Sequence, residues 1–451
     1  MKIEALRKEL KKDNKVSNFN KKNLKDKKIN YKYNNKLKII GITGSRGKST
    51  TAYILHNYLK SNGFESVLYS SIEIDSKLSF TKKNSAVDNP LKNKKMLLNA
   101  IEQAIGVDAD FLILEVNERA IKLGLIDDVP FDIKVLTNIV EKQNEVFYPD
   151  YVDIKKSFLL NHNKNDKLIL GVTDNITNDL YNELGKENVK IFTSKYIANK
   201  YGILDKDVDY LISSNEYKFD SLEGINFDLL FDNRKISISS NLFMSFNVFN
   251  LTCIASILNE LKLFDNKKFV NYVKELSIPG RNEIIKYKNR TIIISVNLVP
   301  HLEYLSKYKL NNEINNIIIV TGATGIGFET WIKEFSDDLY EKDKEMSLNF
   351  AYKYIISFAD KLYLTTTDTG ASNIDDLISR QEKFINKIEY VVIKDRKDAI
   401  KTAIKNSEEK DVIFISGRGN REIMCDSYNT IILFNDFEVT KEIIDSNMED
   451  I

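Results

Sequence analysis

The chain has 451 residues, 43% of them hydrophobic, which allows two or three domains with sizeable cores. Its formal net charge of +1 argues against a dedicated nucleic-acid-binding protein, and no apolar run approaches the roughly 18 residues that a membrane span requires. The charged amino terminus lacks an apolar signal core, so we expect a cytoplasmic protein.

Residues 1–36 are rich in Lys and Asn and predict a basic, solvated leader with one short helix at residues 2–12. The stretch that follows, LKIIGITGSRGKSTT at residues 37–51, is the most informative part of the chain. An apolar strand leads into a glycine-punctuated turn and then into a helix predicted from about Thr50 to Asn62. This order indicates a variant phosphate-binding loop (P-loop), because its first glycine departs from the common spacing. A chance glycine turn between a strand and a helix is the alternative.

The turn supplies the residue types that a polyphosphate needs. Gly44 and Gly47 let the backbone turn tightly and point its N–H groups inward. Lys48 can reach the terminal phosphates, Ser49 can offer its hydroxyl to Mg²⁺, and the helix directs the positive end of its dipole at the anion. The predicted nucleotide contacts in this loop are Gly44, Ser45, Arg46, Gly47, Lys48, Ser49 and Thr50.

After the loop, apolar runs of strand length alternate with helical patterns, which predicts a parallel sheet flanked by helices. Between residues 208 and 240 the pattern changes to polar and apolar alternation, which predicts antiparallel hairpins, and a helical pair follows. Pro279 and Gly280 interrupt both periods and mark a domain boundary. The strand and helix alternation then restarts in TIIISV, NNIIIVTG, KLYLTTT, YVVIK and DVIFISG.

The predicted fold class is therefore α/β. A P-loop central ATPase domain with a parallel sheet is expected at residues 37–278, and a smaller Rossmann-like α/β domain at residues 279–451. The two cysteines, Cys253 and Cys425, indicate neither a disulfide framework nor a cysteine-based metal site. The histidines, His56, His162 and His301, fall in no metal-ligand spacing and predict surface or packing roles.

Several residues at predicted strand ends can serve a nucleotide site. Glu115 ends the strand FLILEV, so we expect its carboxylate at the carboxyl edge of the sheet, where it can hold Mg²⁺. Little burial is expected there, so Glu115→Ala is expected to remove metal-dependent turnover and to leave the fold intact. Thr137 and Asn138 end the next strand and face the same crevice. Lys155 lies on a helix that is predicted to begin near Tyr151.

These segments, taken in order, resemble the Mur ligase family from residue 37 to about residue 425. The resemblance rests on seven collinear motifs, and it is strongest toward the ligases that add the third residue of the peptidoglycan stem. The motifs are GITGSRGKSTT, LEVNERAIKLGLIDDVPFDIKVLTNI, YVDIKKSFLLN, SFNVFNLTCIAS, IPGRNE, DRKDAIKTAI and DVIFISGRGNRE.

The resemblance implies an ATP- and Mg²⁺-dependent ligase that phosphorylates a small-molecule or peptide carboxylate and joins it to the amine of an amino acid. By position, Lys155 matches a family lysine that is often carbamoylated; an unmodified lysine would contact phosphate directly instead. Asn250 matches an asparagine near the adenine, and Arg281 matches an arginine at the hinge to the final domain. A carboxy-terminal domain that closes over ATP is also implied.

The chain also departs from the family pattern. Gln143 or a neighbour stands where a metal-binding histidine is usual, and Gln still offers a neutral oxygen to Mg²⁺. Ser295–Val296–Asn297–Leu298 replaces an Asp-Tyr-Ala-His segment. Asp368–Thr369–Gly370–Ala371 replaces Asp-Asn-Pro-Arg, so the arginine that would bind an incoming carboxylate is missing. We therefore expect that the incoming amine is not diaminopimelate bound in the way that is usual for the family. The 36 residues before the sheet are too few for a domain that grips UDP, so that domain is expected to be absent.

Two functional readings follow from these matches and losses. The favoured one is an active amide ligase whose substrate lacks a UDP handle or binds it elsewhere, as in the shorter family members. It is favoured because the phosphate-binding loop and Glu115 are both intact, and Arg46 also makes the loop resemble that of poly-γ-glutamate synthases. The alternative is a nucleotide-binding pseudo-ligase that acts as a partner or regulator of another Mur-like enzyme. A P-loop NTPase unrelated to ligation would require the later motifs to be coincidence.

Overall fold

The structure is a computed structural model of the chain. It describes residues 36–76, 90–140, 148–213, 221–322, 325, 337–370, 372–426 and 430–448. The helix predicted at residues 2–12 and the side chains of Gln143 and Ala371 lie outside these ranges. Within them, none of the helices combines the length and the apolar character that crossing a membrane requires.

A ten-stranded sheet forms the first half of the fold. Its spatial order is β10-β9-β8-β7-β6-β5-β1-β4-β2-β3, with a parallel centre and antiparallel strands at both edges. The central strands are buried on both faces, because helices cover both sides of a parallel sheet. The strands are β1 (Lys38–Thr43), β2 (Ser66–Tyr69), β3 (Ile74–Asp75), β4 (Phe111–Glu115), β5 (Ile133–Leu136), β6 (Lys167–Gly171), β7 (Val189–Ser194), β8 (Tyr210–Ile212), β9 (Ile225–Phe231) and β10 (Arg234–Ser240).

Helices pack on both faces of this sheet, and each face forms its own hydrophobic core with the helices that cover it. One core lies under α1 and the helical pair α7 and α8, and the other under α2, α4 and α5. The helices are α1 (Lys48–Ser61), α2 (Lys94–Gly106), α3 (Glu118–Lys122), α4 (Tyr151–Leu160), α5 (Asn175–Leu184), α6 (Lys195–Lys200), α7 (Ser245–Glu260) and α8 (Asn266–Lys274).

The strand order reverses beside β1, and this position determines where a ligand can bind. β1 lies between β4 and β5: the chain runs from β1 to β2, β3 and β4 on one side, and then crosses to β5 on the other side. The register places Ile42 of β1 opposite Glu115 and Thr43 opposite Leu136. Open α/β sheets bind ligands in the crevice at such a reversal, outside the carboxyl ends of the strands. The glycine turn, Glu115 and Thr137 all follow strands that end there.

A second, six-stranded sheet follows in the order β11-β12-β16-β13-β14-β15, parallel except for β11. Helices again cover both faces. The remaining strands are β11 (Glu283–Tyr287), β12 (Arg290–Ser295), β13 (Ile317–Thr321), β14 (Lys361–Leu364), β15 (Glu389–Val392), β16 (Val412–Ser416), β17 (Ile423–Cys425) and β18 (Ile431–Leu433). The helices are α9 (Val299–Leu310), α10 (Asp337–Phe358), α11 (Ile374–Glu382), α12 (Arg396–Lys405) and α13 (Asp436–Met448).

The α/β fold class and the alternation of strands with helices are confirmed. The predicted antiparallel region is the β9–β10 hairpin, which extends the same sheet. The helix after the glycine turn begins at Lys48, two residues before the predicted start. The boundary proposed at residues 278/279 falls between α8 and β11 and stays a prediction, as do the domain limits on either side of it.

A buried ion pair joins α12 to α13 in the second unit. The guanidinium of Arg396 donates to both carboxylate oxygens of Asp436 at 2.7 and 2.8 Å, and both side chains are fully buried. Removing one partner leaves an uncompensated buried charge, so Asp436→Ala is expected to lower the free energy of unfolding by about 3–5 kcal/mol. Lys397→Ala breaks an exposed pair with Glu442 in the same two helices, and is expected to cost under about 1 kcal/mol. Chemical denaturation of both variants measures the difference; equal losses would contradict the prediction.

Glu283, at the start of β11, makes the stability of the protein depend on pH. Its carboxylate accepts a hydrogen bond from the backbone N–H of Gly280 at 2.7 Å, yet burial raises its pKa to about 7. The folded state therefore binds a proton that the unfolded state releases above its ordinary pKa of 4.5. This stabilisation is complete below pH 4.5 and is lost as the pH rises through 7. Between pH 5 and pH 8 the free energy of unfolding of the parent is expected to fall by about 2 kcal/mol through this group. In Glu283→Gln that decrease is expected to be absent, which unfolding curves measured over the same pH range would show. A variant with the same slope as the parent would contradict it.

Candidate active site

The turn after β1 has the backbone geometry of a phosphate-binding loop. Gly44 and Gly47 have φ values of +145° and +83°, which side-chain-bearing residues rarely adopt. A Cβ on Gly44 would lie 2.0 Å from Oγ1 of Thr137, and one on Gly47 would lie 2.2 Å from Oδ1 of Asn250. Asn250, 4% exposed on α7, therefore packs directly against the loop. Both glycines are required on conformational and steric grounds.

Asn138 and Thr137 hold the loop from the side. The Asn138 side chain accepts from the backbone N–H of Arg46 and donates to the carbonyl of the same residue, both at 3.0 Å. The Thr137 hydroxyl donates to that carbonyl at 2.7 Å. Ser45 is tied to Asn138 through its backbone N–H, and its hydroxyl accepts from Tyr151 at 2.9 Å. Asn138 thus shapes the loop, and direct contact with a nucleotide stays a prediction.

Lys48 and Ser49 begin α1 directly after the loop. The Nζ of Lys48 donates to the carbonyl of Gly44 at 2.8 Å, so the ammonium lies over the loop. Arg46 is exposed at the mouth and Thr50 is buried. Backbone N–H groups at a helix N-terminus and two cations beside them form a site suited to a polyphosphate.

Glu115 is fixed by hydroxyl and amide donors. Its Oε1 accepts from Ser49 at 2.8 Å, and its Oε2 accepts from the Ser70 hydroxyl at 2.9 Å and the Ser71 N–H at 2.7 Å. Only 6% of Glu115 is exposed, so the expectation of little burial at the sheet edge is wrong. The reason is that the 70–73 segment, which follows β2, folds over the end of β4. Removing this carboxylate would leave several buried donors without an acceptor.

The donor set around Glu115 suits a divalent cation. The hydroxyls of Ser49 and Ser71 lie 2.8 Å apart and both donate to Glu115. Carboxylate and hydroxyl oxygens are hard ligands of the kind that Mg²⁺ and Mn²⁺ prefer. Ser49 and Glu115 therefore fit the predicted metal site, and Ser70 and Ser71 are residues that the sequence analysis missed.

A cavity of about 680 Å³ opens between the two sheets above the loop. This volume lies within the range of small-molecule sites. Arg281 lines it on the linker, and burial lowers the pKa of its guanidinium while Glu115 nearby raises it. From the second unit, the segment that replaces the family's Asp-Tyr-Ala-His also lines the cavity, together with α10 and the ends of β13 and β16. The cavity residues from the linker and β12–α9 are Ile278, Arg281, Asn282, Ser295, Val296, Asn297, Leu298, Val299, Pro300 and His301.

His301 forms part of an aromatic wall of this cavity. It is 2% exposed, lies 4.9 Å from the ring of Phe414, and contacts Asn282 Oδ1 through Nε2. Burial lowers its pKa to about 3, and the charge of Arg46 acts in the same direction. A neutral imidazole is therefore present at neutral pH, in keeping with the packing role expected from the sequence.

Lys155 lies beneath the loop in an ion pair that the sequence analysis did not include. Its fully buried Nζ is 3.0 Å from Oε2 of Glu118 and 3.2 Å from the hydroxyl of Thr43. Burial alone would raise the pKa of Glu118, but Lys155 and Lys48 outweigh burial and lower it to about 2. Glu118 follows β4 by three residues at the start of α3, so its position at the same sheet edge was a signal available in the sequence.

The segment at Asp368 is bound by arginines from another part of the chain. Arg418 donates to Oδ1 of Asp368 at 2.7 Å, and Arg421 donates to Oδ2 at 3.2 Å. Arg421 keeps a quarter of its side chain exposed and lies close enough to Arg281 to affect its pKa. A guanidinium therefore reaches this region although the expected arginine is missing from the local motif.

The unit carrying Asp368 contacts the central unit beside Glu115. Asn420 Nδ2 donates to the carbonyl of Ile72 at 2.9 Å, next to Ser70 and Ser71. A Cβ on Gly280 would lie 2.3 Å from the backbone nitrogen of Asn420, so the linker and this loop are in close contact. The predicted loop residues Ser45–Thr50, Asn250 and Arg281 thus line one cavity, and Glu115 is joined to it through Ser49.

His56 has polar partners that its spacing did not predict. Its Nε2 lies 2.9 Å from Oδ2 of Asp75, and these two groups and Glu73 are close enough to hold a metal ion. Lys60, however, already places its ammonium 2.6 Å from the same Asp75 oxygen. A cation would have to compete with Lys60, so this group is described as an internal polar cluster.

Residues 42–258 match the family model described as the Mur ligase middle domain. The match begins in β1 and ends in α7, and it therefore contains the loop, Glu115, Lys155 and Asn250. The chain therefore contains a Mur ligase middle domain. Mur ligases are ATP-dependent amide ligases of peptidoglycan synthesis, and by class this one is an acid–amino acid ligase.

Individual relatives agree with this placement. The chain is 24% identical over 421 residues to UDP-N-acetylmuramoyl-L-alanyl-D-glutamate–2,6-diaminopimelate ligase 1 of Clostridium acetobutylicum, covering 91% of this chain and 78% of the relative. A solved diaminopimelate ligase of the same name is 19% identical, with a TM-score of 0.58 over 91% of this chain and 79% of the other. A bifunctional folylpolyglutamate synthase/dihydrofolate synthase, solved with Mn, AMPPNP and L-glutamate, has a TM-score of 0.55 at 15% identity over 84% of this chain and 86% of the other. At these identities the two structures show the fold alone.

The comparisons favour the active ligase over the pseudo-ligase among the two interpretations of the sequence. The relatives described above carry names of ligases or synthases. Nothing in these comparisons supports a pseudo-ligase, and one of the altered second-unit segments on which that interpretation was based, Ser295–Leu298, lines the cavity.

Proposed function

We propose that this Mur ligase uses ATP and Mg²⁺ to phosphorylate a small-molecule or peptide carboxylate, and then joins that carboxyl group to the amine of an amino acid or peptide. The setting is cell-wall synthesis or a related peptide or polymer synthesis. ADP and phosphate are the other products. The proposal rests on one observation: Lys48 and Ser49 of the loop line a single cavity that the second unit closes, and Ser49 is hydrogen-bonded to Glu115.

The residues of the loop have defined tasks in this reaction. Backbone N–H groups of Gly47, Lys48 and Ser49 and the Lys48 ammonium would bind the phosphates and stabilise charge on the γ-phosphoryl oxygens. Ser49 and Glu115 would hold the divalent cation, which supplies further charge neutralisation when it is bound. Asn250, Arg281 and the aromatic wall at His301 are the candidates for contact with the rest of the nucleotide.

Closure by the second unit supports a reaction through an acyl phosphate. Such an intermediate hydrolyses if water reaches it, so a site between two closed units protects it. The contact between Asn420 and Ile72 holds the second unit beside the Glu115 edge. Folylpolyglutamate synthase, a structural neighbour, was solved with a nucleotide analogue, a metal and L-glutamate, which fits an amino acid as the third component.

Arg421 is the candidate that would recognise the incoming amino acid. It is partly exposed, positively charged and held by Asp368, and guanidinium groups bind carboxylates in paired hydrogen bonds. Arg421 would then bind the incoming carboxylate in place of the arginine that is missing from the segment at residues 368–371. Such a site favours an amino acid with a free carboxylate.

The test is a substrate screen with two readouts. The protein is incubated with ATP, Mg²⁺, candidate carboxylates and amino acids, and phosphate release is followed. UDP-N-acetylmuramoyl-L-alanyl-D-glutamate, named in the relatives, and short glutamate peptides are the first acceptors. Hydroxylamine in place of the amine traps an acyl phosphate as a hydroxamate. We expect release that requires the carboxylate, and a hydroxamate with the same acceptor. Tight ATP binding without turnover on the whole panel would contradict the proposal.

A further inference from the structure

The hairpin of β2 and β3 carries two of the donors that hold Glu115. Its turn consists of residues 70–73 and is closed by a hydrogen bond from the backbone N–H of Ser70 to the carbonyl of Glu73 at 3.1 Å. From this turn the Ser70 hydroxyl and the Ser71 backbone N–H donate to Oε2 of Glu115 at 2.9 and 2.7 Å. The position of the turn therefore decides how the Glu115 carboxylate is oriented.

Strand β3 is too short to fix this turn by main-chain pairing alone. It has two residues, Ile74 and Asp75, whereas strands in globular proteins usually have about 3–10. It lies at the edge of the first sheet and pairs only with Tyr69 and Leu68 of β2 among the residues that the structure describes. Side-chain contacts must therefore contribute to holding the hairpin in place.

A buried histidine of α1 supplies such contacts to both strands. Nε2 of His56 lies 2.9 Å from Oδ2 of Asp75 in β3, and Nδ1 lies 2.9 Å from the hydroxyl of Ser66 in β2. The hydrogen bond with His56 lowers the pKa of the Asp75 carboxyl, so this group is ionised at neutral pH and accepts from Nε2–H. The imidazole thus ties the hairpin to the helix that begins with Lys48 and Ser49.

Lys60 contacts the same carboxylate but is a weaker anchor. Its Nζ lies 2.6 Å from Oδ2 of Asp75, and its side chain is 38% exposed, whereas that of His56 is fully buried. Exposed ion pairs contribute little to stability, while the loss of a buried hydrogen bond to a charged group costs more. His56 is therefore the main side-chain anchor of β3, and Lys60 offers a control at the same oxygen.

The second unit contacts the turn from the other side. Asn420 is 3% exposed, and its Nδ2 donates to the carbonyl of Ile72 at 2.9 Å. Adjacent residues of the turn therefore bond to the Glu115 edge and to the second unit. A displacement of the turn would disturb both contacts together.

We propose that His56 is a positioning residue of this protein, and that it acts through Asp75 and the 70–73 turn on the carboxylate of Glu115. A carboxylate that is oriented before a cation arrives binds it more tightly, because less freedom is lost on binding. The expected effect on turnover rests on the proposed function. The expected effect on the turn does not.

The position of the turn is tested without turnover, by hydrogen exchange of the Ser71 amide followed by NMR. In His56→Phe, which keeps a ring and removes both polar atoms, we expect exchange to be roughly tenfold faster or more, since a hydrogen bond to a charged group is lost. The amide of Leu114 in β4 serves as the reference for global unfolding, and Lys60→Ala is the matched control. Unchanged Ser71 exchange in folded His56→Phe would overturn the proposal.

Asp75→Ala breaks the same link from the other partner and provides a second test of the turn. The Asp75 side chain is 20% exposed, so its removal disturbs the core less than a change at His56. We expect the same faster exchange at Ser71 as in His56→Phe. This variant decides the question if His56→Phe does not fold, and a parent-like Ser71 amide in it would overturn the proposal.

The effect on the reaction is tested by phosphate release as a function of Mg²⁺ concentration. In His56→Phe we expect the Mg²⁺ concentration for half-maximal release to rise roughly tenfold. His56→Gln, whose amide can still donate to Asp75, is expected to recover part of this shift. A mere loss of folded protein would lower the apparent kcat and leave the Mg²⁺ midpoint unchanged, so a parent-like midpoint would overturn the role. If the parent protein releases no phosphate with any acceptor, the proposed function fails, and the exchange of Ser71 still decides whether His56 anchors the turn.

Discussion

Lys48→Ala is expected to lower ATP-dependent phosphate release by about a thousandfold, the loss typical of removing one group that stabilises developing charge in a transition state. This corresponds to about 4 kcal/mol of activation free energy. The ammonium of Lys48 already lies over the loop, 2.8 Å from the carbonyl of Gly44, so it is positioned before any substrate arrives. Because the γ-phosphoryl group carries its negative charge on peripheral oxygens, an ammonium at this place acts mainly on the transition state. We therefore expect the main change in kcat.

The control for Lys48 lies on the same helix. Lys60 lies in the last turn of α1, at the opposite end of the helix from the loop, and forms an ion pair with Asp75. Lys60→Ala removes the same side-chain type from the same element and is expected to leave turnover unchanged. Steady-state kinetics give kcat and KM for both variants, and calorimetry gives the affinity for ATP. Turnover in Lys48→Ala within a few-fold of the parent would remove this lysine from the reaction and, with it, the assignment of the loop.

The repeating part of the fold was predictable from the sequence, because strands buried on both faces are short, almost purely apolar runs. β1, β4, β12 and β16 were all recognised in this way. The strands at the edges were harder, since β11 has no fully buried residue and β3 has only two residues. That the β9–β10 hairpin continues the first sheet depends on the pairing of β8 with β9, which is a long-range choice that no local pattern specifies.

The candidate site was predictable where its residues are contiguous or end a strand. Gly44 to Thr50 form one motif, and Glu115 was placed by the end of β4. Ser70 and Ser71 were missed because their role follows from strand register: Tyr69 pairs with Leu114, so the residues after each meet at the same edge. Glu118 and Arg421 were missed for a related reason. Each acts through a partner distant in the chain, Lys155 and Asp368 respectively, and the partner cannot be read from either local sequence.

Burial changes which substitution best tests Glu115. Glu115 is only 6% exposed, and an alanine there would leave Ser49, Ser70 and Ser71 without their acceptor. The substitution would therefore destabilise the fold as well as remove the carboxylate from the reaction. Glutamine has the same shape and keeps one oxygen to accept these hydrogen bonds. Glu115→Gln therefore removes the negative charge while it disturbs the packing least.

With Glu115→Gln, we expect turnover to fall about a hundredfold or more at a fixed Mg²⁺ concentration, because a neutral amide binds a hard divalent cation less strongly than a carboxylate does. Raising the Mg²⁺ concentration should recover part of the loss if the charge acts through the cation. Glu102→Gln, an exposed carboxylate on α2, is the matched control and should behave as the parent. The measurements are phosphate release as a function of Mg²⁺ concentration and the midpoint of thermal unfolding. A variant that unfolds at the parent's temperature and keeps the parent's Mg²⁺ dependence would show that Glu115 organises the serines around it without holding the cation. Ser49 would then remain as the candidate for that task.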